Sequence, residues 1–246
     1  MNVVFLGATR GMGRSLSRLM AERGDTLYLL GRTPDQLEAS AADLRVRSGS
    51  DANVGFGHCD LEDPSGFAGA LDDAFAALGR VDAIVVTAGL FDVQEALEAD
   101  LEWARKVVTV NLPNTIVFCE EARTRLMAQG GGTLCVFSSV AGDRGRKPVG
   151  IYGASKAGLT HYLDSLDFRY RAEGLKTVLV KPGFVKTGMT ANLKPPPFAG
   201  EPDQVARIVL KAIDRGTPCV YAPGIWRWIM LTIQHLPRFM MRRAGF

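Results

Sequence analysis

The sequence predicts an α/β fold, in which helices cover both faces of a parallel sheet within a single domain, residues 1–246. Two observations predict this class. Short apolar runs alternate along the chain with longer helical stretches, which is typical of parallel sheets. The first apolar run also leads into a glycine-rich turn and then a helix, as the first strand of a doubly wound sheet does. No repeat, low-complexity tract or linker divides the chain.

The predicted strands are short apolar runs that end at turn-forming or polar residues. The first strand ends at the glycine loop after Leu6, the second at Gly31-Arg32, and the third, which is the weakest, at Asp60. The fourth ends at Thr87-Ala88-Gly89 and the fifth at Ser138. The predicted strands cover residues 2–6, 26–30, 54–59, 83–86, 133–137, 176–180 and 218–221.

The predicted helices lie between these strands. Gly24-Asp25 ends the first helix, and the second begins at Pro34, which suits a first helical turn that Thr33 can cap. Pro113 predicts a kink in the longest helix. The helices run from the glycine loop to about residue 23, then over 34–47, 64–78, 97–127, 152–171 and 201–214. The pattern predicts a Rossmann-like sheet of about seven strands.

Composition excludes several classes of protein. Hydrophobic residues at 47% and charged residues at 22% are typical of a globular domain, and a net charge of +3 gives no reason to expect nucleic acid. The four cysteines show no metal-ligand spacing, so we expect no metal site. The amino terminus lacks the features of a signal peptide, and no apolar run approaches the ~18 residues of a membrane span. We therefore expect a cytoplasmic protein.

Ser139, Tyr152 and Lys156 are candidate catalytic residues. Ser139 follows the fifth predicted strand, at the sheet edge where α/β proteins place their chemistry. Tyr152 and Lys156 are four positions apart in a predicted helix and share one face. A neighbouring ammonium favours the phenolate, so we expect Lys156 to lower the pKa of Tyr152 from about 10. Such a set can protonate a carbonyl oxygen as hydride reaches its carbon. The alternative is a helix with a chance Tyr-x-x-x-Lys pair.

The loop Gly7-x-x-x-Gly11-x-Gly13 follows a strand and precedes a helix, which is the context of a dinucleotide site. Glycines let the backbone approach a pyrophosphate, and the helix start offers free N–H groups. A glycine-rich turn without a ligand is the alternative. The second strand ends at Arg32 with no carboxylate, and Arg10 lies within the loop, which favours the 2′-phosphate of NADP. Both could also be solvated surface arginines.

Six motifs, in order, resemble those of the short-chain dehydrogenase/reductase family over most of the chain. They are Gly7-x-x-x-Gly11-x-Gly13, Asp60 beside Leu61, Val86-Thr87-Ala88-Gly89, Val110-Asn111, the set of Ser139, Tyr152 and Lys156, and Pro182-Gly183-Phe184-Val185-Lys186-Thr187. At Leu6 and Thr87 this chain replaces polar residues with which the family braces its structure. A further departure is Pro113-Asn114, which follows Asn111. We expect Leu6 and Thr87 to affect local bracing and not chemistry, whereas Pro113 and Asn114 could shift the helix of Asn111 and the water that Asn111 is expected to hold.

The resemblance implies an NADPH-dependent reductase of a ketone, either a keto-sugar or another small carbonyl compound, or the reverse reaction. Tyr152 would supply the proton, Ser139 would orient the carbonyl, and Lys156 would lower the tyrosine pKa and bind the nicotinamide ribose. Asn111 would complete a proton relay through water. The implied cofactor-binding residues are Gly7, Thr9, Arg10, Gly11, Met12, Gly13, Arg32, Asp60, Leu61, Ala88, Gly89, Tyr152, Lys156, Pro182, Gly183, Val185 and Thr187.

The resemblance also implies a homodimer or homotetramer, and residues 184–246 would contribute the substrate pocket. From Ser138 onward the chain is similar to a bacterial subgroup that includes the reductase of a lipid-linked keto-pentose in mycobacterial cell-wall synthesis. A regulatory protein that binds NADP(H) without turnover is the alternative function. Such proteins tend to lose the tyrosine or the lysine, whereas this chain has both Tyr152 and Lys156.

Two regions lie outside these motifs. Asp143-Arg144-Gly145-Arg146-Lys147 could bind a substrate anion, or it could be a solvated loop or a subunit contact. At the carboxyl terminus, apolar residues at 225, 228, 229, 233 and 236 predict a helical stripe that Pro237 ends. The stripe could pack on protein, cover the pocket, or make peripheral contact with a membrane. We expect packing, with Trp226 and Trp228 both buried.

Overall fold

A computed structural model describes residues 1–49, 54–243 and 245. Within them, seven parallel strands form one sheet in the order β3-β2-β1-β4-β5-β6-β7. This architecture confirms the predicted Rossmann-like, doubly wound fold. The strands are β1 (Asn2–Leu6), β2 (Thr26–Gly31), β3 (Val54–His58), β4 (Ala83–Val86), β5 (Gly132–Phe137), β6 (Leu175–Pro182) and β7 (Cys219–Ala222).

The helices pack on both faces of the sheet. They are α1 (Gly11–Glu22), α2 (Pro34–Ser48), α3 (Phe67–Leu78), α4 (Gln94–Ala99), α5 (Leu101–Thr109), α6 (Thr115–Ala128), α7 (Gly150–Tyr170), α8 (Pro202–Arg215), α9 (Ile225–His235) and α10 (Arg238–Arg243). Side chains alternate along β1, so Val3 and Phe5 belong to the core that α1, α2 and α8 cover. Val4 and Leu6 belong to the core on the opposite face, under α3, α6 and α7.

The helical region predicted over 97–127 is divided at Asp100 as well as at Pro113. Asp100 has an extended backbone, and its carboxylate accepts the backbone N–H of Trp103 at 2.9 Å, so it ends α4 and caps α5. The kink predicted at Pro113 is a π-helical turn, Val110–Asn114. Proline has no N–H to continue the α-helical ladder, which explains the wider turn at this position.

The carboxyl-terminal stripe lies on a different face of its helix from the predicted one. In α9, Trp226, Met230 and Ile233 are buried, whereas Trp228 is exposed, so the expected burial of both tryptophans is wrong. The buried residues form a small core with Val140. Among the described residues, no helix has both the length and the apolar character needed to cross a bilayer.

Candidate active site

The predicted catalytic residues meet at the carboxyl edge of the sheet, between the end of β5 and the start of α7. Ser139 follows β5, and its side chain is near enough to that of Tyr152 to lower the pKa of the phenol. The ammonium of Lys156 lies 5.9 Å from the centre of the Tyr152 ring. It donates a hydrogen bond of 3.0 Å to the carbonyl of Phe137. The structure therefore brings the serine, tyrosine and lysine together as the sequence predicts.

Neighbouring residues fix the position of this set. The hydroxyl of Ser138 donates to the backbone carbonyl of Lys156 at 2.9 Å and lies 2.8 Å from the hydroxyl of Thr160, which ties β5 to α7. The ring of Phe91 contacts the Tyr152 ring edge-on, with 4.9 Å between ring centres. The bonds of Ser138 thus fix α7 against β5, and Phe91 packs against the phenol ring.

The pKa values in this set differ from the expectation that Lys156 lowers the pKa of Tyr152. Burial raises the pKa of Tyr152 to about 12, although its hydrogen bond with Ser139 opposes that shift. Burial also lowers the pKa of the Lys156 ammonium to about 8. Desolvation disfavours the charged form of each group and is the largest cause of both shifts. Tyr152 is therefore protonated at neutral pH and suited to act as a proton donor.

Asn111 lies in the π-helical turn and is buried next to the catalytic set. Its amide nitrogen donates to the carbonyl of Leu90 at 2.7 Å, and its amide oxygen accepts the N–H of Leu90 at 2.8 Å. A Cβ atom at Gly89 would lie 3.0 Å from the amide oxygen of Asn111. The side chain thus braces the segment after β4, where Ala88 and Gly89 lie. The proton relay predicted through Asn111 stays a prediction.

The glycine loop requires glycine at two positions. A Cβ atom at Gly7, whose φ is +97°, would lie 2.6 Å from the backbone nitrogen of Ala88. A Cβ atom at Gly13 would lie 2.2 Å from the carbonyl oxygen of Gly7. The hydroxyl of Thr87 donates to that same carbonyl at 2.9 Å. Thr87, one of the departures from the family motif, therefore supplies the bracing bond itself.

The start of α1 has the donor set that a pyrophosphate needs. Arg10 occupies the cap position without a side-chain cap bond, and the first turn has no acidic residue. The N–H groups and the helix dipole therefore favour an anion. The methyl group of Thr187 lies 3.4 Å from the Cβ position of Gly11. The glycine loop and the segment that ends at Thr187 thus lie next to each other. Together they fit a dinucleotide. Thr9 and Met12 are partly exposed in the same loop.

Arg10 and Arg32 are both exposed at the end of the site where a 2′-phosphate would bind. Arg32 is held by Glu62, whose carboxylate lies 3.2 Å from its guanidinium. The same carboxylate lies 2.7 Å from the ammonium of Lys106. The sequence pattern missed Glu62, because it comes from the segment after β3 and not from the end of β2.

The predicted adenine-binding residues follow β3. Leu61 is buried, and the carboxylate of Asp60 accepts the backbone N–H of Glu62 at 3.0 Å. The amide of Asn114 donates to the carbonyl of Leu61 at 2.7 Å from a buried position. Asn114, another departure from the family pattern, therefore braces this segment. Its amide side chain in the kinked turn was the signal that could have predicted this contact.

Pro182 ends β6, and the segment after it runs along the same edge of the sheet. The backbone N–H of Gly183 donates to the carbonyl of Ala222 at 3.1 Å. A Cβ atom at Gly183 would lie 2.1 Å from the indole nitrogen of Trp226, so only glycine fits against this ring. Val185 is buried, and Thr187 caps a short helical turn, Gly188–Thr190. The predicted nicotinamide segment is thus braced by α9.

The cationic loop after Ser139 makes contacts within the chain, although Lys147 is exposed. Arg144 donates to the carbonyl of Leu236 at 3.2 Å, and Lys147 donates to the carbonyl of Arg242 at 2.8 Å. Two of the three cations therefore hold the carboxyl-terminal helices. Burial lowers the pKa of Arg146, although the charge of Asp143 opposes that shift.

Asp143 in the same loop forms a buried ion pair that the sequence did not suggest. Its carboxylate lies 2.7 Å from the ammonium of Lys181 and accepts the Tyr221 hydroxyl at 2.9 Å. Burial opposes the charge of Lys181, but the hydrogen bond and charge of Asp143 outweigh it and raise the pKa of the ammonium. This cluster joins the loop after Ser139 to β6 and β7.

Cysteine and histidine residues form no metal centre in the described part of the chain. No group of three or more His, Cys, Asp or Glu side chains there could hold an ion. Cys59, Cys119 and Cys135 are buried, and burial raises the pKa of each thiol. These three are small core residues.

Comparisons with known proteins agree with this geometry. A family model described as short chain dehydrogenase matches residues 1–197. An uncharacterised oxidoreductase of Mycobacterium tuberculosis is 31% identical over 241 residues, which cover 98% of this chain and 96% of that protein. A protein named carbonyl reductase family member 4, from Xenopus tropicalis, is 29% identical over 212 residues, or 83% of this chain and 87% of that protein.

A solved structure has the same fold. It is a short-chain dehydrogenase from Sphingobium yanoikuyae in complex with NADPH, with a TM-score of 0.81 and 24% identity. The match covers 94% of this chain and 92% of that one.

Proposed function

Because the chain belongs to the short-chain dehydrogenase family, we propose that it is an NADPH-dependent reductase that converts a ketone to a secondary alcohol, or catalyses the reverse. The observation that carries this proposal is the meeting of Ser139, Tyr152 and Lys156 at the carboxyl edge of the sheet, where the Lys156 ammonium lies 5.9 Å from the centre of the Tyr152 ring. The high pKa of Tyr152 supports the reductive direction, since reduction needs a protonated phenol. The name of the Xenopus relative supports a carbonyl substrate.

The chain's own residues supply acid catalysis and orientation. NADPH, when bound, supplies the hydride that reaches the carbonyl carbon. The Tyr152 hydroxyl gives its proton to the carbonyl oxygen as that oxygen gains negative charge. The Ser139 hydroxyl, which lies near Tyr152, would donate to the same oxygen and orient it. The Lys156 ammonium would bind the nicotinamide ribose. Its positive charge would also stabilise the negative charge that the Tyr152 oxygen gains as it gives up the proton.

The cofactor would lie along the carboxyl edge of the strands. We propose that Gly7, Gly11 and Gly13 hold the pyrophosphate at the start of α1. Asp60 and Leu61 would contact the adenine, and Ala88 and Gly89 would lie beside the adenosine. The segment from Pro182 to Thr187 would contact the nicotinamide. Arg10 and Arg32 would bind a 2′-phosphate. NADPH in the solved structure of similar fold supports this choice of cofactor.

The direct test is NADPH oxidation with a panel of ketones that includes keto-sugars. We include keto-sugars because of the carboxyl-terminal similarity to a keto-pentose reductase. Turnover of any ketone with formation of the alcohol would support the proposal. NADPH binding without turnover of any ketone would favour the regulatory alternative, in which the same fold senses the cofactor. The predicted homo-oligomer and cytoplasmic location stay predictions.

We expect the rate of ketone reduction to fall above about pH 8. The Lys156 ammonium, whose pKa burial lowers to about 8, is charged below that pH and neutral above it. Tyr152, with a pKa of about 12, stays protonated across the same range, so it contributes no loss there. The measurement is kcat/KM for the ketone against pH. A rate that stays constant well above pH 8 would contradict a role for the charged lysine.

We expect NADPH to bind more tightly than NADH because of Arg32. Removing charge-assisted bonds to a 2′-phosphate costs roughly 1.5–3 kcal/mol, so Arg32→Ala should weaken NADPH binding by about ten- to a hundred-fold. NADH affinity should change little. Fluorescence titration with both cofactors measures the effect, and equal affinity of the wild type for both would refute it.

Glu62→Gln provides the opposite control. It removes the carboxylate that now pairs with Arg32 and that would repel a phosphate. We therefore expect tighter NADPH binding in this variant, with NADH affinity unchanged.

A further inference from the structure

The carboxyl-terminal segment, defined as residues 225–243, packs on the domain with only one of its faces. Trp226 is 8% exposed and belongs to a small core with Met230, Ile233 and Val140. The Trp226 indole also donates to the carbonyl of Phe198 at 3.2 Å. Together with the bonds from Arg144 and Lys147, these contacts fix α9 and α10 against the loops around the proposed active site.

The opposite face of α9 is apolar and exposed. Ile225, Trp228 and Leu231 follow each other at intervals of three residues, so they lie along one side of the helix. Trp228 is 62% exposed. In α10, Phe239 and Met240 are also exposed. Exposed apolar side chains this close together are typical of an interaction site, since burying a tryptophan is strongly favourable.

This apolar face lies among unpaired positive charges. Residues 215–246 contain no Asp or Glu. The segment carries Arg227, Arg238, Arg242 and Arg243, and all four are exposed. The guanidinium of Arg227 lies 6.0 Å from the centre of the Trp228 ring. None of the four has an ion-pair partner within the residues that the structure describes.

The charge distinguishes between two possible occupants of this face. A symmetric contact with a second copy would place the same segment against itself, because an isologous interface uses one patch on both subunits. Arginines would then meet arginines, with no acid in the segment to neutralise them. An anionic membrane offers negative headgroups to the arginines and an acyl boundary to the apolar side chains. We infer that the carboxyl-terminal segment docks the protein onto an anionic lipid surface.

Co-sedimentation of the full chain with lipid vesicles tests this inference and does not depend on enzymatic activity. We expect binding to phosphatidylcholine vesicles that contain phosphatidylglycerol at low salt, and little binding to phosphatidylcholine alone. Replacing Arg238, Arg242 and Arg243 by Gln should weaken binding by about a hundred-fold, since each arginine near an anionic surface contributes about five-fold. Trp228→Ser should also weaken binding, whereas Trp228→Phe should keep it.

Control variants separate docking from general surface effects. Phe168→Ser removes an aromatic residue of α7 that is even more exposed than Trp228, and it should leave vesicle binding unchanged. The wild-type tryptophan emission should shift to the blue with anionic vesicles, and Trp228→Phe should lose that shift while still sedimenting.

Two results would overturn the inference. One is the absence of sedimentation with anionic vesicles, or equal sedimentation with neutral ones. The other is a dimer in lipid-free solution that Trp228→Ser dissociates, because a second copy would then occupy this face. Thermal unfolding of each variant checks that a loss of binding does not come from a loss of fold.

Discussion

Tyr152→Phe is expected to reduce ketone turnover by at least about a hundred-fold, because general acid catalysis contributes roughly 10²–10⁴-fold. The phenol is the proton donor in the proposed reaction, and phenylalanine keeps the ring that packs on Phe91 but has no proton to give. NADPH affinity should stay within a few-fold of the wild type, since the hydroxyl acts on the substrate oxygen. Single-turnover kinetics and cofactor titration measure the two quantities separately.

Tyr170→Phe is the matched control for this variant. It makes the same chemical change at the last residue of α7, where the ring lies against Arg123 and Arg169. Its turnover should equal that of the wild type. If Tyr152→Phe retained more than a tenth of wild-type turnover, the phenol could not be the proton donor.

Asp143→Ala is expected to destabilise the protein by about 3–5 kcal/mol, because it leaves the charge of Lys181 buried and unpaired. The Asp143 side chain is 1% exposed and that of Lys181 is 10% exposed. The loss corresponds to a fall in Tm of roughly 6–20 °C for a chain of this size. Thermal unfolding followed by circular dichroism measures it.

Two further variants identify the cause of that loss. Lys186→Ala breaks an ion pair with Glu201 in which both side chains are more than half exposed, so it should cost at most about 1 kcal/mol. The double variant Asp143→Leu with Lys181→Met removes both buried charges and should recover most of the stability. Equal Tm values for Asp143→Ala and Lys186→Ala would show that the buried pair contributes no more than a surface pair.

The parts of the fold that are predictable from the sequence depend on local patterns. The apolar run of β1, the glycine loop and the start of α1 are adjacent in sequence, so a single short stretch specifies them. Tyr152 and Lys156 are one helical turn apart, and their common face follows from helix geometry alone. Ser139 is placed by the end of β5. These residues meet in the structure as the sequence predicts.

Contacts between distant segments could not be predicted in this way. Asp143, Lys181 and Tyr221 come from a loop and two strands, and no spacing relates them. Burial, which raises the pKa of Tyr152, depends equally on the packing of the whole chain. The exposed face of α9 was misassigned because apolar residues occur all around this helix, so periodicity alone does not identify the side that packs. Only the position of α9 against the rest of the domain shows that Trp226 packs and Trp228 does not.

The order of the strands also sets the order in which a growing chain can fold. β2 can pair with β1 soon after synthesis begins, but the other edge of β1 pairs with β4, so that Val3 lies beside Ala83. The bond from Asn2 to Asp82 spans 80 positions. A ribosome that adds about 5–20 residues per second needs roughly 4–16 s to synthesise the residues between them. During this interval one edge of β1 has no strand beside it. A half-sheet of β1, β2 and β3 that formed during translation would therefore lack Thr87 to Gly89, which complete the surroundings of the glycine loop.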